Sequence, residues 1–196
     1  MHIDHSHMTM MFNIVYCGLP GAGTWASINT LHKLLNVSNK ENLITLDTTP
    51  EKSAVFEFGI SDTILGYQCK YKVKTLPTPA FYRAMQTLLL QGVDGIVIVL
   101  DDDALNFEKQ LRYIEQLKHW LNEAGSSWND AIKVFQLNKR GNADIISKAE
   151  IISSLNLTDN DLFESVTSEG IGVKETFMAL AKKLTIEIKN NRKVHA

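Results

Sequence analysis

Phe12-Asn13-Ile14-Val15-Tyr16-Cys17-Gly18-Leu19-Pro20-Gly21-Ala22-Gly23-Thr24-Trp25-Ala26-Ser27-Ile28 reads as an apolar strand that turns on glycines into a helix. Gly18 and Gly23 have the spacing of a phosphate-binding loop, Gly-x-x-x-x-Gly-Lys-Ser/Thr. Thr24 stands in the place of the lysine, and Trp25 in the place of the hydroxyl that ligates magnesium. In a working loop the glycines let backbone N–H groups wrap the phosphates at a helix N-terminus, the ammonium neutralises them, and the hydroxyl oxygen holds the metal. Thr24 carries no charge. An indole offers only an N–H, which cannot ligate a cation that binds oxygen. The stretch therefore predicts the frame of a nucleotide site: Gly18, Gly21 and Gly23 shape the loop, and Trp25 plugs the metal and phosphate position. The backbone nest remains able to take a free phosphate or sulfate.

Outward from this stretch, strand and helix signals alternate. Ile28, Leu31, Leu34 and Leu35 fall at helical spacing, and Leu43 to Leu46 is strand-like, which completes a βαβ opening. Two period-two stretches follow: Ala54, Phe56, Phe58 and Ile60, then Tyr67, Cys69, Tyr71, Val73 and Thr75 with lysines between them. They predict an antiparallel hairpin turning over residues 61–66, with Lys70, Lys72 and Lys74 on a wetted edge strand protected against stray pairing. A patch for phosphate or an acidic partner is the alternative reading of that row. A helix is expected from Ala80 to about Gln91. The most apolar strand, Ile96 to Leu100, should be central and parallel.

Asp101-Asp102-Asp103 then opens a helix from Ala104 to about Glu123, with Leu105, Leu111, Ile114, Leu117 and Leu121 inward. The three aspartates read as helix-start carboxylates, with a metal site as the alternative. Strands at Ile132 to Leu137 and Leu162 to Val166, and helices at Ile145 to Leu155 and Val173 to Ile188, complete the pattern. This is the grammar of an α/β fold: a doubly wound, mostly parallel sheet of about six or seven strands with one antiparallel edge hairpin and helices on both faces.

A chain of 196 residues that is 44% hydrophobic suits one domain. Residues 11–190 are read as that domain, 191–196 as a tail, and 1–10, with His2, His5 and His7, as a tag-like or disordered leader outside the fold. A net charge of -2 provides no bulk attraction to nucleic acid or to an anionic membrane. No apolar run reaches membrane-spanning length and no signal peptide or lipidation signal is evident, so the expectation is a cytoplasmic protein without direct membrane insertion. Cys17 and Cys69 lie in apolar strands and read as buried thiols.

With the Gly18 loop, the hairpin, Thr75-Leu76-Pro77-Thr78-Pro79-Ala80-Phe81-Tyr82, Gly92-Val93-Asp94-Gly95 and Asn138-Lys139-Arg140-Gly141 in this order, the chain resembles the Ras-like small GTPases. Within them it is similar to the bacterial MglA type of gliding-motility and polarity proteins, over roughly residues 12–190. The resemblance implies a phosphate-loop GTPase fold, and it locates the departures. In the second switch, Thr78 and Pro79 stand where the family has Gly-Gln. Proline has neither an N–H for a γ-phosphate nor a side chain to orient water. Asn138 and Lys139 keep part of the guanine motif, but Gly141 replaces the carboxylate that reads the base. Thr48 and Thr49 offer hydroxyls in the first switch, with Lys52 nearby. Ser168-Glu169-Gly170 sits where a last loop would touch the base.

Hydrogen bonds to charged groups contribute about 1.5–3 kcal/mol each, so losing lysine, metal ligand and carboxylate removes on the order of 5–9 kcal/mol if the terms sum. That corresponds to roughly 10³–10⁶ in affinity. Lys52, Lys139 and Arg140 are the cations available to compensate. The resemblance thus implies a non-catalytic relative, a pseudo-GTPase, with no catalytic residue, no metal and no required cofactor. Its switch surface, Thr48, Thr49, Lys52, Thr78, Pro79, Phe81 and Tyr82, would dock a protein partner, plausibly a roadblock-type (longin-like) regulator in polarity, pilus or motility machinery. Two alternatives stay open: a divergent protein that binds GTP or GDP weakly and hydrolyses slowly, and a family member in which Trp25 and Pro79 are simply packing.

Overall fold

The computed structural model describes residues 1–48, 51–78, 83–141 and 144–194, without the side chains of 48, 51 and 191–194. The strands are β1 (His2–Asp4), β2 (Thr9–Gly18), β3 (Ile44–Thr48), β4 (Glu51–Ile64), β5 (Tyr67–Thr75), β6 (Gly95–Asp101), β7 (Ile132–Asn138) and β8 (Leu162–Ser165). The helices are α1 (Thr24–Leu34), α2 (Arg83–Leu90), α3 (Phe107–Glu123), α4 (Lys148–Leu155) and α5 (Val173–Val194).

They form one eight-stranded sheet in the order β3-β4-β5-β2-β6-β7-β8, with β1 paired to β2 beside this path. Strand pairs from β5 through β2, β6 and β7 to β8 are parallel, while β3-β4 and β4-β5 are antiparallel. All seven residues of β6 are buried, as a strand covered on both faces requires. Alternate residues of β2 feed two cores. Phe12, Ile14 and Tyr16 pack with Phe56, Phe58, Tyr71 and Phe177 beneath α1 and α5. Val15 and Cys17 pack with Ile96, Ile98, Ile114 and Leu121 on the side of α3 and α4.

Several expectations are corrected. Residues 1–10 are not outside the fold: β1 runs antiparallel to the start of β2, pairing His2 with Met11 and Asp4 with Thr9. His5 Nδ1 and the Tyr67 hydroxyl share a hydrogen bond of 2.7 Å. The sheet accordingly has eight strands instead of six or seven. The lysine-bearing strand is not an edge, because β5 lies between β4 and β2, and the antiparallel edge is β3. The hairpin turn contracts to Leu65 and Gly66, both at positive φ. Leu105 is 77% exposed, since a turn of 3₁₀ helix over Ala104–Asn106 precedes α3 and shifts its phase. Cys17 and Cys69 are free and buried.

Candidate functional site

The glycine loop leaves the sheet at the carboxyl end of β2, the usual ligand edge of an open parallel sheet. A Cβ on Gly18 would lie 2.3 Å from the Val99 carbonyl oxygen, so the chain passes β6 too closely for any side chain. Gly21 and Gly23 adopt φ of +86° and +105°, left-handed values that favour glycine. Gly23 is followed at once by α1, whose Ser27 hydroxyl donates to the Gly23 carbonyl at 2.9 Å and accepts from Gln136 Nε2 at 2.8 Å.

On the phosphate side, the Thr24 methyl is 3.3 Å from the Cβ position of Gly18 and carries no charge towards the loop. Trp25 is partly buried against the core beneath α1, and its indole N–H is buried without a hydrogen-bond partner among the described residues. Lys52 Nζ sits 5.2 Å from the Trp25 ring centroid and 3.7 Å from Asp47, so this cation is held over the indole. The Thr78 hydroxyl donates to the Gly18 carbonyl at 3.2 Å. Gln86 of α2 is fully buried and donates to Pro77 O at 2.7 Å and Thr78 O at 3.3 Å, while the Ala54 N–H donates to Thr75 Oγ1 at 3.0 Å. Thr75 to Thr78 is therefore tied to three elements: β4, the glycine loop and α2.

On the base side, Asn138 at the end of β7 donates to the Ala22 carbonyl at 3.0 Å and accepts from the Thr167 N–H at 3.2 Å. One amide thus joins the glycine loop to the turn after β8. Lys139 turns to Glu164, 2.9 Å away. The Arg140 backbone N–H is shared by both Asp102 carboxylate oxygens at 3.2 Å, and its guanidinium donates to Gly21 O at 2.5 Å. Gly141, at φ +74°, has open space around its Cβ position and no carboxylate to present.

On the base side, beside α1, lies a cavity of about 540 Å³, lined by Gly21, Gly23, Lys33, Asn138, Lys139, Arg140, Thr167 and Ser168 among others. Thr167 is buried and its hydroxyl has no partner among the described residues.

Of the sequence-predicted residues, the structure brings Gly21, Gly23, Asn138 and Lys139 together in this cavity; Thr24 and Thr78 meet Gly18, and Lys52 meets Trp25, outside its lining. Thr49, Pro79, Phe81 and Tyr82 lie outside the described residues, as does the side chain of Thr48. The Arg140 clasp, the Gln86 anchor and the orphan Thr167 hydroxyl carry no signal in the sequence beyond their residue types.

Asp101, Asp102 and Asp103 have structural roles. Asp101 is buried, which raises its carboxyl pKa, and accepts from the Asp103 N–H. Asp102 holds the Arg140 loop, and Asp103 caps the 3₁₀ turn by accepting from the Leu105 N–H at 2.9 Å. Among the described residues, no group of three or more His, Cys, Asp or Glu is placed to hold a metal ion. Nor is any helix among them long and apolar enough to cross a membrane.

Set against what a magnesium nucleotide requires, the two ends of the loop differ. Asn138 bridges the loops as a base wall requires, whereas the metal-ligand position presents an indole and the lysine position an uncharged side chain.

No protein-family model matches the chain. It is 29% identical over 190 residues to the mutual gliding-motility protein MglA of Myxococcus xanthus (strain DK1622), a match that covers 95% of this chain and 97% of that protein. That likeness runs end to end, and the sheet, with a glycine loop leaving a central parallel strand and bridged by the Asn138 amide, is consistent with a small-GTPase-like fold; the chain is similar to the MglA-type small GTPases.

Proposed function

We propose that the protein is a pseudo-GTPase: a non-catalytic family member whose switch side is a standing docking surface for a protein partner in cytoplasmic polarity, pilus or motility machinery. A roadblock-type (longin-like) regulator is the partner class the family likeness favours. The single observation that carries the reading is Trp25, an indole at the metal-ligand position, packed against the core with Lys52 held over its ring. Restoring a metal site there requires moving an aromatic side chain out of its packing. The ties of Thr75 to Thr78 support one resting conformation for the described part of the second switch.

Binding of fluorescent GTP and GDP, with and without Mg²⁺, tests the reading. The expected outcome is no Mg²⁺-dependent binding at roughly micromolar concentrations, which corresponds to about 8 kcal/mol. Tight binding that requires Mg²⁺ overturns it.

A second reading, a divergent nucleotide binder with slow turnover, is favoured by the Asn138 bridge and by the cations Lys33 and Arg140 around the cavity. Phosphate release abolished by Arg140→Ala, with folding intact, would select that reading over the first.

A further inference from the structure

Three elements meet around the base-side cavity: α1 with Lys33, the loop after β7 with Lys139 and Arg140, and the turn after β8 with Thr167 and Ser168. No Asp, Glu or aromatic side chain is among the residues that line it. A purine presents N–H groups that call for an acceptor and a flat face that calls for a plane to stack on. This cavity supplies neither a carboxylate nor a ring. Gly141, at the family's base-reading position, has open space around its Cβ position.

The charges around the cavity leave a positive remainder. Lys139 pairs with Glu164 at 2.9 Å. The Asp102 carboxylate accepts the Arg140 backbone N–H, and Arg140 is within electrostatic reach of the buried Asp101. The guanidinium gives one of its donors to Gly21 O and keeps others in hand. Glu169 follows Ser168 in the chain but does not line the cavity. Lys33 makes no ion pair among the described residues.

Thr167 points to the same kind of ligand independently of charge. It is 4% exposed, and its backbone is satisfied: the N–H donates to Asn138 Oδ1 at 3.2 Å and the carbonyl accepts from Thr30 Oγ1 at 3.1 Å. Its hydroxyl has no partner among the described residues. A valine would have the same shape without an orphaned polar atom, so the hydroxyl is a donor held for something that enters the cavity. Donors on three sides of one cavity match the three terminal oxygens of a phosphate monoester, whereas a carboxylate has two.

We propose that the base-side cavity binds a small phosphate monoester without magnesium, held by Lys33, Arg140 and the Thr167 hydroxyl. At about 540 Å³ the cavity also has room for the organic part of a small metabolite. The inference rests on the pseudo-GTPase reading only in that no magnesium nucleotide occupies this end of the loop.

The test titrates inorganic phosphate and glycerophosphate into the full chain in EDTA at constant ionic strength, followed by calorimetry and amide NMR shifts. The expected result is saturable binding with shifts centred on Lys33, Arg140, Thr167 and Ser168. Lys33→Ala, Arg140→Ala and Thr167→Val should each raise Kd by roughly fivefold or more. Thr167→Val should also hold or raise the thermal midpoint while affinity falls; a hydroxyl with a purely structural role would lower the midpoint and leave affinity alone. Shifts confined to residues 18–25 assign the anion to the glycine loop and overturn the proposal. So do the absence of binding at about 20 mM phosphate, an affinity that Lys33→Ala and Thr167→Val leave unchanged, and citrate binding more tightly than either phosphate. A separate titration of GTP with Mg²⁺ judges the pseudo-GTPase reading, so the failure of one is told from the failure of the other.

Discussion

Asn138 holds the glycine loop from one side, with bonds to Ala22 and Thr167, whereas on the other side stand Thr24, Trp25 and Thr78, with the Lys52 ammonium held over the indole. The base wall keeps its architecture because it also supports the fold, tying the ends of β7 and β8 to the loop. On the phosphate wall, Thr78 ties its own segment to the Gly18 carbonyl, but no side chain bridges two strand ends as Asn138 does among the described residues. Its residues are free to become packing, and Trp25 has done so. On the pseudo-GTPase reading proposed above, positions that serve both fold and ligand are retained, and positions that serve the ligand alone are lost.

The largest effect that breaks this contrast is a gain of function. Thr24→Lys with Trp25→Ser restores two charge-related interactions of about 1.5–3 kcal/mol each, and Mg²⁺-dependent GTP affinity should rise by roughly 10²–10⁴. Fluorescent-nucleotide titration of the double variant checks it. No gain would mean that the base wall is also defective, and Gly141→Asp is the next substitution to add.

Gly18→Ala comes next. A methyl group cannot coexist with the Val99 carbonyl oxygen 2.3 Å away, so β2 or β6 must shift, at about 3 kcal/mol as seen in a denaturant midpoint. Asn138→Ala leaves the Ala22 carbonyl and the Thr167 N–H without their partner and should cost about 2 kcal/mol. If the midpoint does not move, the base wall is not structural and the contrast collapses. Arg140→Ala removes only an exposed clasp on Gly21 O, and its effect on stability should stay near about 0.5 kcal/mol.

The last effect is nil at neutral pH. Burial pushes the Cys17 thiol from 9.0 up to about 12, so the folded state favours the protonated form. That contribution is complete below pH 9.0 and is lost as pH rises towards about 12. Tyr16 and Tyr71, raised mainly by burial, act in the same direction. Thermal melts across the alkaline range should therefore fall, and Cys17→Ser should lessen the fall.

Much of the fold was legible because hydrophobic period encodes burial. The apolar run of β6 and the alternation of Phe56, Phe58, Tyr71 and Val73 identify strands covered as expected. Three features were not legible, each for a physical reason. His2 to Asp4 is polar and short, and it becomes a strand only because β2 offers an open flank. The lysines of β5 alternate like those of an edge strand because one face of that interior strand is only partly covered by the described residues, a property of the helices and not of β5. Leu105 fits a helical stripe, yet the Asp103 cap starts a 3₁₀ turn that rotates it outward. At the site, glycine spacing and Asn138 could be read directly, while the reach of Arg140 to Gly21 depends on a loop path that no local pattern specifies.

Strand β2 is ten residues long, and its two ends have separate neighbours: β1 flanks Thr9 to Met11, and the loop leaves at Gly18. At about 3.3 Å per residue, a dye or affinity handle attached near His2 sits roughly 20–30 Å from the Asn138 amide. It can therefore report the tumbling and assembly of the protein without touching the pocket, and any signal it gives on adding nucleotide must come from a change in the whole body.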